Sequence, residues 1–333
     1  MIRGYLGLAV LPALLAAGTV AAASPPLSCS PHLGLGTLTL ARGSAVREVD
    51  LADCRVRALH PRAARPGLVA PGGVATATVR VTGSKRTLRN TIWVTSRRGA
   101  AHAVYSAKVS GDVTGLESAG PIWLLGWSGD ARWIFFAIDS GSSASIAADG
   151  LVLQVVAAAG GAPHRLGVTL PYSDYLAWCG GSVVYSAGRD RIAIHGKRLL
   201  IASPPAWRPR ALVAAPGRSF GSLTCAPAGR SVVVQSQPSS TNAGFFATHW
   251  SLWSVALDGR HHVLTSPPKG FSDESPRLSA DGRTLLFVRS RGGHGQLYAL
   301  DGGRLEGPLL ALGYELGYYG HRDWWQTMAW SRA

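Results

Sequence analysis

The chain has very little lysine, and no long stretch of it has a helical hydrophobic period. Lysine occurs only at positions 85, 108, 197 and 269, so arginine carries almost all of the formal net charge of +15. Such a balance favours an acidic partner. A chain rich in alanine, glycine and arginine is also what a GC-rich genome tends to encode. Without helical periodicity, the short β-branched and alternating runs indicate an all-β chain.

Beyond the N-terminal segment, no stretch is long and apolar enough to span a bilayer. Residues 1–23 have the pattern of a secretion signal: a basic start at Arg3, an apolar run over residues 6–15, and three alanines before Ser24. An uncleaved membrane anchor is the alternative. We therefore expect a secreted, periplasmic or cell-wall protein, a monomer, with an N-terminal linker at residues 24–35 and a single domain at residues 36–333.

The chain has only four cysteines, and no two of them lie close together, which excludes the usual zinc-binding spacings. Four cysteines in an exported chain suggest two disulfides, for which three pairings are possible. We favour Cys29 with Cys54, which would fix the N-terminal tail, and Cys179 with Cys225. Reduced, buried thiols are the alternative for the second pair. No metal ion or other cofactor is predicted.

A degenerate repeat recurs about every fifty residues. Its clearest copy, residues 271–301, reads as a strand, an Asp-Gly hairpin turn, a second strand, a Gly-rich loop and a third strand. Aligned on the turn, successive copies lie 51, 47, 53 and 52 residues apart, at Trp127, Trp178, Cys225, Leu278 and Trp330. Short strands at this spacing indicate a sandwich, barrel or propeller, and a four-strand unit of this length favours the propeller. On this register, Cys179 and Cys225 lie on inner strands of adjacent units.

The two ends of the chain look like complementary parts of one repeat unit. The C-terminal segment MAWSRA resembles a first strand whose unit then stops, and residues 36–56 resemble the rest of such a unit. We therefore predict that residues 326–331 pair with residues 37–42, which would close a ring and leave no long exposed sheet edge. Six four-stranded antiparallel units result. Seven is the alternative, because the pattern between residues 59 and 79 is weak.

The segment SPRLSADGRTLLFVRSRGGHGQLYALD, residues 275–301, resembles the repeat of TolB-type six-bladed β-propellers. The match is strong there and moderate around Trp127 and Cys225. It departs from the pattern at Ala280, where proline is usual, at Cys225, where tryptophan is usual, and in the short turn after Cys179. We expect no counterpart of the extra N-terminal α/β domain of TolB. The resemblance implies a propeller, and it does not imply the envelope role of TolB.

The repeat register places equivalent arginine-rich loops on one face of the predicted ring. Guanidinium groups that converge there would bind an anion in a bidentate manner. Segments leading into the first strands should share this face. The predicted anion site therefore consists of Arg97, Arg189, Arg191, Arg289, Arg322, His321, Asp273 and Asp174. The alternative is that these arginines bond neighbouring loops and serve the fold.

Two classes of function are consistent with these features. The preferred hypothesis is a non-catalytic propeller that binds a protein or an anionic polymer at the cell envelope; nucleic acid is not expected, because no recognisable nucleic-acid module is present. The second is a polysaccharide lyase or glycoside hydrolase that uses the channel mouth. Its candidate carboxylates are Asp174, Asp273, Glu274 and Asp323. Two carboxylates about 5–10 Å apart across a pocket would favour glycosidase chemistry, whereas carboxylates paired with arginine would favour a structural role.

Aromatic residues are dense near the C-terminus. They would either pack the closing unit, which we favour, or stack on sugar rings; the residues are Tyr314, Tyr318, Tyr319, Trp324, Trp325 and Trp330.

Overall fold

The computed structural model describes residues 28–32, 34–42, 45–60, 67–83, 88–108, 122–139, 149–240 and 248–332. The predicted secretion signal and part of the predicted linker lie outside the described residues. Within these ranges the chain is all-β: it has 24 strands, three short 3-10 turns and no α-helix. The turns are Pro71–Gly73, Ser173–Tyr175 and Trp324–Gln326. None of the described helices is long and apolar enough to cross a membrane.

The strands in the first half of the chain are short, and they carry the alternating or β-branched sequences expected of strands. They are β1 (Thr37–Arg42), β2 (Ala45–Asp50), β3 (Val56–Leu59), β4 (Leu68–Val69), β5 (Ala75–Thr82), β6 (Arg89–Ser96), β7 (Ala101–Lys108), β8 (Ile122–Trp127), β9 (Trp133–Ile138), β10 (Leu151–Ala157) and β11 (His164–Thr169).

The second half continues with β12 (Leu176–Cys179), β13 (Ser182–Ala187), β14 (Arg198–Ala202), β15 (Arg210–Ala211), β16 (Arg218–Cys225), β17 (Ser231–Pro238), β18 (Ser251–Ala256), β19 (His261–Val263), β20 (Ser272–Leu278), β21 (Thr284–Arg291), β22 (His294–Asp301), β23 (Arg304–Tyr314) and β24 (Met328–Ser331).

All strand pairs between these elements are antiparallel. Three four-stranded sheets run in chain order: β4–β7, β16–β19 and β20–β23. Strands β8–β11 and β12–β15 form two further groups of four, joined by the single residue pair Thr169 and Ala187, so that hydrogen bonding makes them one eight-stranded sheet. The last sheet has the order β24-β1-β2-β3 and contains the first and last strands of the described chain, which we call the two chain ends.

The pairing of the two chain ends agrees with the prediction from the repeat. Residues Met328 to Ser331 of β24 lie opposite Leu40 to Thr37 of β1. The predicted segment began two residues too early, because Trp324–Gln326 forms a 3-10 turn. The Asp323 side chain caps this turn by accepting a hydrogen bond from the Trp325 backbone nitrogen at 3.1 Å.

The hairpin turns between first and second strands have a common chemistry. In the β20–β21 turn, the Ser279 hydroxyl donates a hydrogen bond to Asp281 and accepts one from the Thr284 backbone nitrogen at 3.0 Å. Ser128 makes the equivalent bonds to Asp130 and Trp133 in the β8–β9 turn. Asp130 and Asp281 are therefore turn residues, as serine and aspartate side chains commonly are.

Apolar side chains are buried between consecutive sheets. One cluster joins β20–β23 to the sheet that contains both chain ends and includes Leu38, Leu297 and Leu310. Other clusters join β4–β7 to β8–β11, β8–β11 to β12–β15, β12–β15 to β16–β19, and β16–β19 to β20–β23. The core is thus a row of face-to-face packing layers. The first strands of four consecutive groups, β8, β12, β16 and β20, lie next to one another, and we call them the inner strands.

Both favoured disulfides are confirmed. Cys29 is bonded to Cys54 with Cα atoms 5.8 Å apart, and Cys179 to Cys225 with Cα atoms 5.4 Å apart. The second bond links inner strands β12 and β16 of neighbouring sheets, as the repeat register predicts. Two disulfides fit an extracellular or periplasmic location, where the redox environment preserves them.

Candidate functional site

A cavity of about 440 Å³ opens beside the inner strands β12, β16 and β20 and the 3-10 turn before β24. We call it the inner-strand cavity, and its polar and aromatic lining includes Asp174, Trp178, Thr224, Arg277, Asp323 and Trp325. Four separate parts of the chain therefore contribute to one concave surface. A volume of this size is typical of small-ligand pockets.

A β-bulge in β20 gives one wall of the cavity its shape. The register shifts between Glu274 and Arg277, so that Ser275 and Pro276 together face one residue of β21. Ser275 has a φ of 51°, in the left-handed region that a serine seldom adopts. Two hydrogen bonds hold it: its hydroxyl donates to the Arg322 carbonyl at 3.0 Å, and its carbonyl accepts from Trp325 Nε1 at 2.6 Å. The bulge places Arg277 on the cavity wall.

Asp174 and His321 meet at the edge of this cavity although they lie 147 residues apart. His321 Nε2 lies 3.0 Å from both carboxylate oxygens of Asp174, and Ser222 donates its hydroxyl to the same carboxylate. The His321 ring is stacked on Tyr172 with centroids 3.8 Å apart. Burial alone would lower the pKa of His321, but the charge and hydrogen bond of Asp174 outweigh it and raise that pKa. Asp174 therefore favours the imidazolium form of His321.

This arrangement is not that of a Ser-His-Asp nucleophile. In such a triad the serine hydroxyl bonds to the histidine, which takes its proton. Here the Ser222 hydroxyl donates to Asp174 instead, so nothing in the contact prepares Ser222 to attack a substrate. Ser222, Asp174 and His321 instead connect β16, the turn before β12 and the segment before β24.

Asp323 is the second carboxylate on the cavity wall. Burial, and next the negative charge of Asp174, raise the pKa of Asp323 to about 6. Its side chain accepts the capping hydrogen bond from the Trp325 backbone nitrogen. Asp323 therefore carries a charge at neutral pH that its surroundings disfavour.

Arg277 is the cation on the same wall. Its guanidinium lies over the Trp325 ring, 4.9 Å from the ring centroid. Burial lowers the pKa of Arg277, while the charges of Asp323 and Asp174 act in the opposite direction. Among the described residues, no carboxylate forms a hydrogen bond with this guanidinium. An arginine so placed presents its N–H edge to whatever enters the cavity.

Three arginines of the predicted anion site are already bound to carboxylates. Arg289 makes two bonds to Asp273, at 2.7 and 2.9 Å. Arg191 makes two to Asp149, at 2.8 and 2.9 Å.

The third, Arg322, donates to the buried Glu274 at 2.8 Å. Glu274 also accepts from Ser290 and from Trp324 Nε1. These contacts match the alternative in which such arginines serve the fold. Asp273 and Glu274, two of the four candidate catalytic carboxylates, are likewise paired with arginine.

The other predicted site residues are distributed differently. Arg97 and Arg189 are exposed, and Arg97 lines a separate cleft beside β5 and β6. Asp174 and Asp323 do share the inner-strand cavity. The structure therefore brings together His321, Asp174 and Asp323, and it places Arg277, which was not among the predicted residues, beside them.

Arg277 has a signal in the sequence that lies outside the loops of the predicted anion site. In the repeat alignment, the position before each aligned residue holds Gly126, Ala177, Thr224, Arg277 and Ala329. Only one copy has a charged side chain there, and Ala177 and Thr224 line the same cavity as Arg277. A single charge at an otherwise small inner-strand position marks the site.

The C-terminal aromatic residues divide between packing and surface. Trp324 is buried in the cluster next to β1, and Trp330 donates to the Leu35 carbonyl, so both pack the sheet that contains the chain ends. Trp325 lines the cavity. Tyr314 and Tyr318 are exposed by half or more of their surface. Within the described residues, no group of three or more metal-binding side chains is present.

No family model and no curated protein matches this chain. Similar solved structures include TolB from Acinetobacter baumannii, with 15% identity and a TM-score of 0.47 over 86% of this chain and 66% of that one. The putative TolB from Agrobacterium tumefaciens gives 16% identity and a TM-score of 0.47 over 85% and 91%. An oligogalacturonate lyase from Vibrio parahaemolyticus gives 10% identity and a TM-score of 0.45 over 87% and 80%. TolB-type β-propeller proteins are thus among the structural neighbours of this chain, as the resemblance of the repeat indicated.

The raised pKa of Asp323 predicts a pH-dependent stability change in the variant Asp323→Asn. A carboxyl with a raised pKa in the folded state contributes stability below its ordinary pKa, and this is lost as pH rises through about 6. Asparagine removes the charge and keeps a capping oxygen. We expect the variant to be more stable by about 1–3 kcal/mol at pH 8 and unchanged near pH 3.5. Urea unfolding at the two pH values measures the difference.

The control is Asp281→Asn. Hydrogen bonds from Ser279 and from the Arg283 backbone lower the pKa of Asp281. That variant should therefore lose stability at pH 8, which is the opposite sign. An Asp323→Asn variant that is less stable at pH 8 would show that the ionised carboxylate is stabilising, and would contradict the prediction.

Proposed function

We propose that the chain is a secreted, non-catalytic six-bladed β-propeller that binds a partner protein at the cell envelope through the inner-strand cavity. The convergence of β12, β16, β20 and the segment before β24 on this cavity is the observation that carries the proposal. Inner strands meet around the axis of a propeller, and ligands bind where such strands converge.

Several features support a six-bladed ring. The strands form six groups of four, one of which is built from both chain ends. Apolar clusters lie between five successive pairs of groups. The disulfides and the pattern of residues 1–23 support secretion into an oxidising compartment.

The charges around the cavity favour a protein segment over an anionic polymer. Asp174 and Asp323 share the cavity with Arg277, so a densely charged polyanion would be repelled by two carboxylates. Three of the five predicted anion-binding arginines are neutralised by partners of their own. The net charge of +15, together with the exposed Arg97 and Arg189, would still accelerate the approach of an acidic partner surface.

Peptide display on the purified protein tests this proposal. Random peptides selected on the wild-type protein should lose at least tenfold in affinity when Ala177, on the cavity wall, is changed to tryptophan. The matched control is Ala280→Trp at the exposed hairpin turn, which should leave the affinity unchanged. Equal affinity for both variants would overturn binding at the cavity. Tight binding of polygalacturonate without any peptide binding would replace the protein partner with an anionic polymer.

The shared location of Asp174 and Asp323 favours a second candidate, a polysaccharide-active enzyme. Asp323, with its pKa of about 6, has the property of a general acid, and Asp174 is hydrogen-bonded to His321. Two carboxyls with different proton affinities are the usual machinery of glycoside hydrolysis. Release of reducing ends or unsaturated sugars from acidic or neutral polysaccharides, abolished in Asp323→Asn, would establish this function instead.

A further inference from the structure

We infer that the inner-strand cavity recognises a peptide segment that carries an acidic and a basic group close together, the acidic group bound by Arg277 and the basic group by Asp323. This inference rests on the proposed binding function, and it names the chemistry of the segment that the cavity accepts.

Arg277 differs from the other arginines of this region. Arg191, Arg289 and Arg322 each bind a carboxylate. Arg277 has no such partner among the described residues, and its only ring contact is with Trp325. Trp325 is itself fixed by its bond to the Ser275 carbonyl. The stacked guanidinium is thus held in one orientation, with its hydrogen-bond donors available for a planar carboxylate.

Asp323 lacks a cation in the same way. Its carboxylate caps the turn before β24, and no lysine or arginine of the described residues forms an ion pair with it. Asp174, the other carboxylate of the cavity, is already satisfied by His321 and Ser222. Asp323 is therefore the acceptor that remains for a ligand ammonium or guanidinium group.

The two unpaired charges lie on one cavity without touching. Arg277 and Asp323 influence each other's pKa, but they form no direct ion pair. Arg277 is exposed at the cavity surface and Asp323 is half-buried, so a ligand of opposite charge can reach either group and offset the cost of desolvating Asp323. A purely acidic segment would satisfy Arg277 and bring a further negative charge towards Asp323 and Asp174. A purely basic segment would pair with Asp323 and bring a further positive charge towards Arg277. A segment with both groups pairs with Arg277 and with Asp323.

The test starts from a peptide selected on the wild-type protein. We expect selected peptides to contain an acidic and a basic residue at a constant spacing, and replacement of either by serine to weaken binding about tenfold. In Arg277→Gln the acidic residue should no longer contribute to affinity. In Asp323→Asn the basic residue should no longer contribute. This crossed loss is a pairing signature that a general loss of structure would not produce.

The exposed pair of Asp258 and Arg260 supplies matched controls. Arg260→Gln and Asp258→Asn remove the same two groups from a turn at the outer strands, and both variants should retain the full preference of the peptide. Isothermal titration calorimetry measures the affinity of each peptide for the wild-type protein, the two cavity variants and the two control variants.

The outcomes separate the inference from the proposed function. Peptides with no acid–base pair that still lose affinity in Ala177→Trp would overturn the inference and leave cavity binding intact. Equal or tighter binding of the all-acidic peptide would make the site a simple anion site. Peptide binding that is insensitive to Ala177→Trp, or no binding at all, would overturn both. Displacement of the peptide by polygalacturonate at stoichiometric concentration would assign the cavity to an acidic polysaccharide.

Discussion

Replacing Arg322 with alanine is expected to destabilise the protein by about 3–5 kcal/mol at pH 7.5, the usual cost of breaking a buried ion pair from one side. Arg322 and Glu274 are almost fully buried, with exposed side-chain fractions of 5% and 1%. Without the guanidinium, Glu274 keeps its bonds from Ser290 and Trp324 but has no counter-charge. The Arg322 side chain also bonds the Glu315 carbonyl at 3.2 Å, so its loss releases the loop before β24.

Urea unfolding measures this change, and Arg304→Ala is the control. Arg304 pairs with Glu306 at 2.9 Å, but 83% of its side chain is exposed, so its removal should cost less than about 1 kcal/mol. The double variant Glu274→Gln with Arg322→Met, which removes both charges, should recover much of the lost stability. A loss below 1 kcal/mol in Arg322→Ala would show that Glu274 takes up a proton or finds another partner.

The ion pairs explain why the predicted anion site was only partly informative. Asp174 and His321, two residues of the predicted site, are in contact, whereas Arg97 lines a separate cleft. The repeat did not reveal the partners of the arginines. In β20 and β21, the register of Leu278 with Leu285 would, if continued, set Arg289 opposite Glu274. The bulge at Ser275 and Pro276 shifts it, so Arg289 faces Asp273 instead. A shift of one residue reverses which side chains share a face.

Periodic features of the chain were therefore the easiest to predict. The all-β class, the hairpin turns, the Cys179–Cys225 disulfide and the pairing of β24 with β1 all follow from apolar alternation and from one repeat register. Features that depend on a local irregularity were harder. The 3-10 turn at Trp324–Gln326 shortened the predicted C-terminal strand, and the left-handed Ser275 has no glycine to signal it. Arg277 lies in strand β20 next to this irregularity. The predicted anion site was built from loops and strand starts, so it did not include Arg277.

Removing the Cys179–Cys225 disulfide is expected to lower the free energy of unfolding by about 4 kcal/mol, the chain-entropy value for a closed loop of this length. The bond spans 46 residues and joins β12 to β16. Cys179 is 1% exposed and lies in the apolar cluster between these sheets, so replacement of both cysteines by alanine also removes packing.

Reduction of the disulfide separates the effect of the cross-link from the loss of packing, because it breaks the bond and keeps both cysteine side chains. In a Cys29→Ala, Cys54→Ala background, dithiothreitol should reproduce most of the stability loss of the Cys179→Ala, Cys225→Ala variant, because the cross-link supplies the larger share. Cys225 lines the inner-strand cavity together with Ala177 and Thr224. Loosening β12 from β16 should therefore also weaken peptide binding at temperatures where the protein remains folded. Unchanged stability and unchanged peptide affinity after reduction would show that packing alone holds these two strands, and with them the cavity wall, in place.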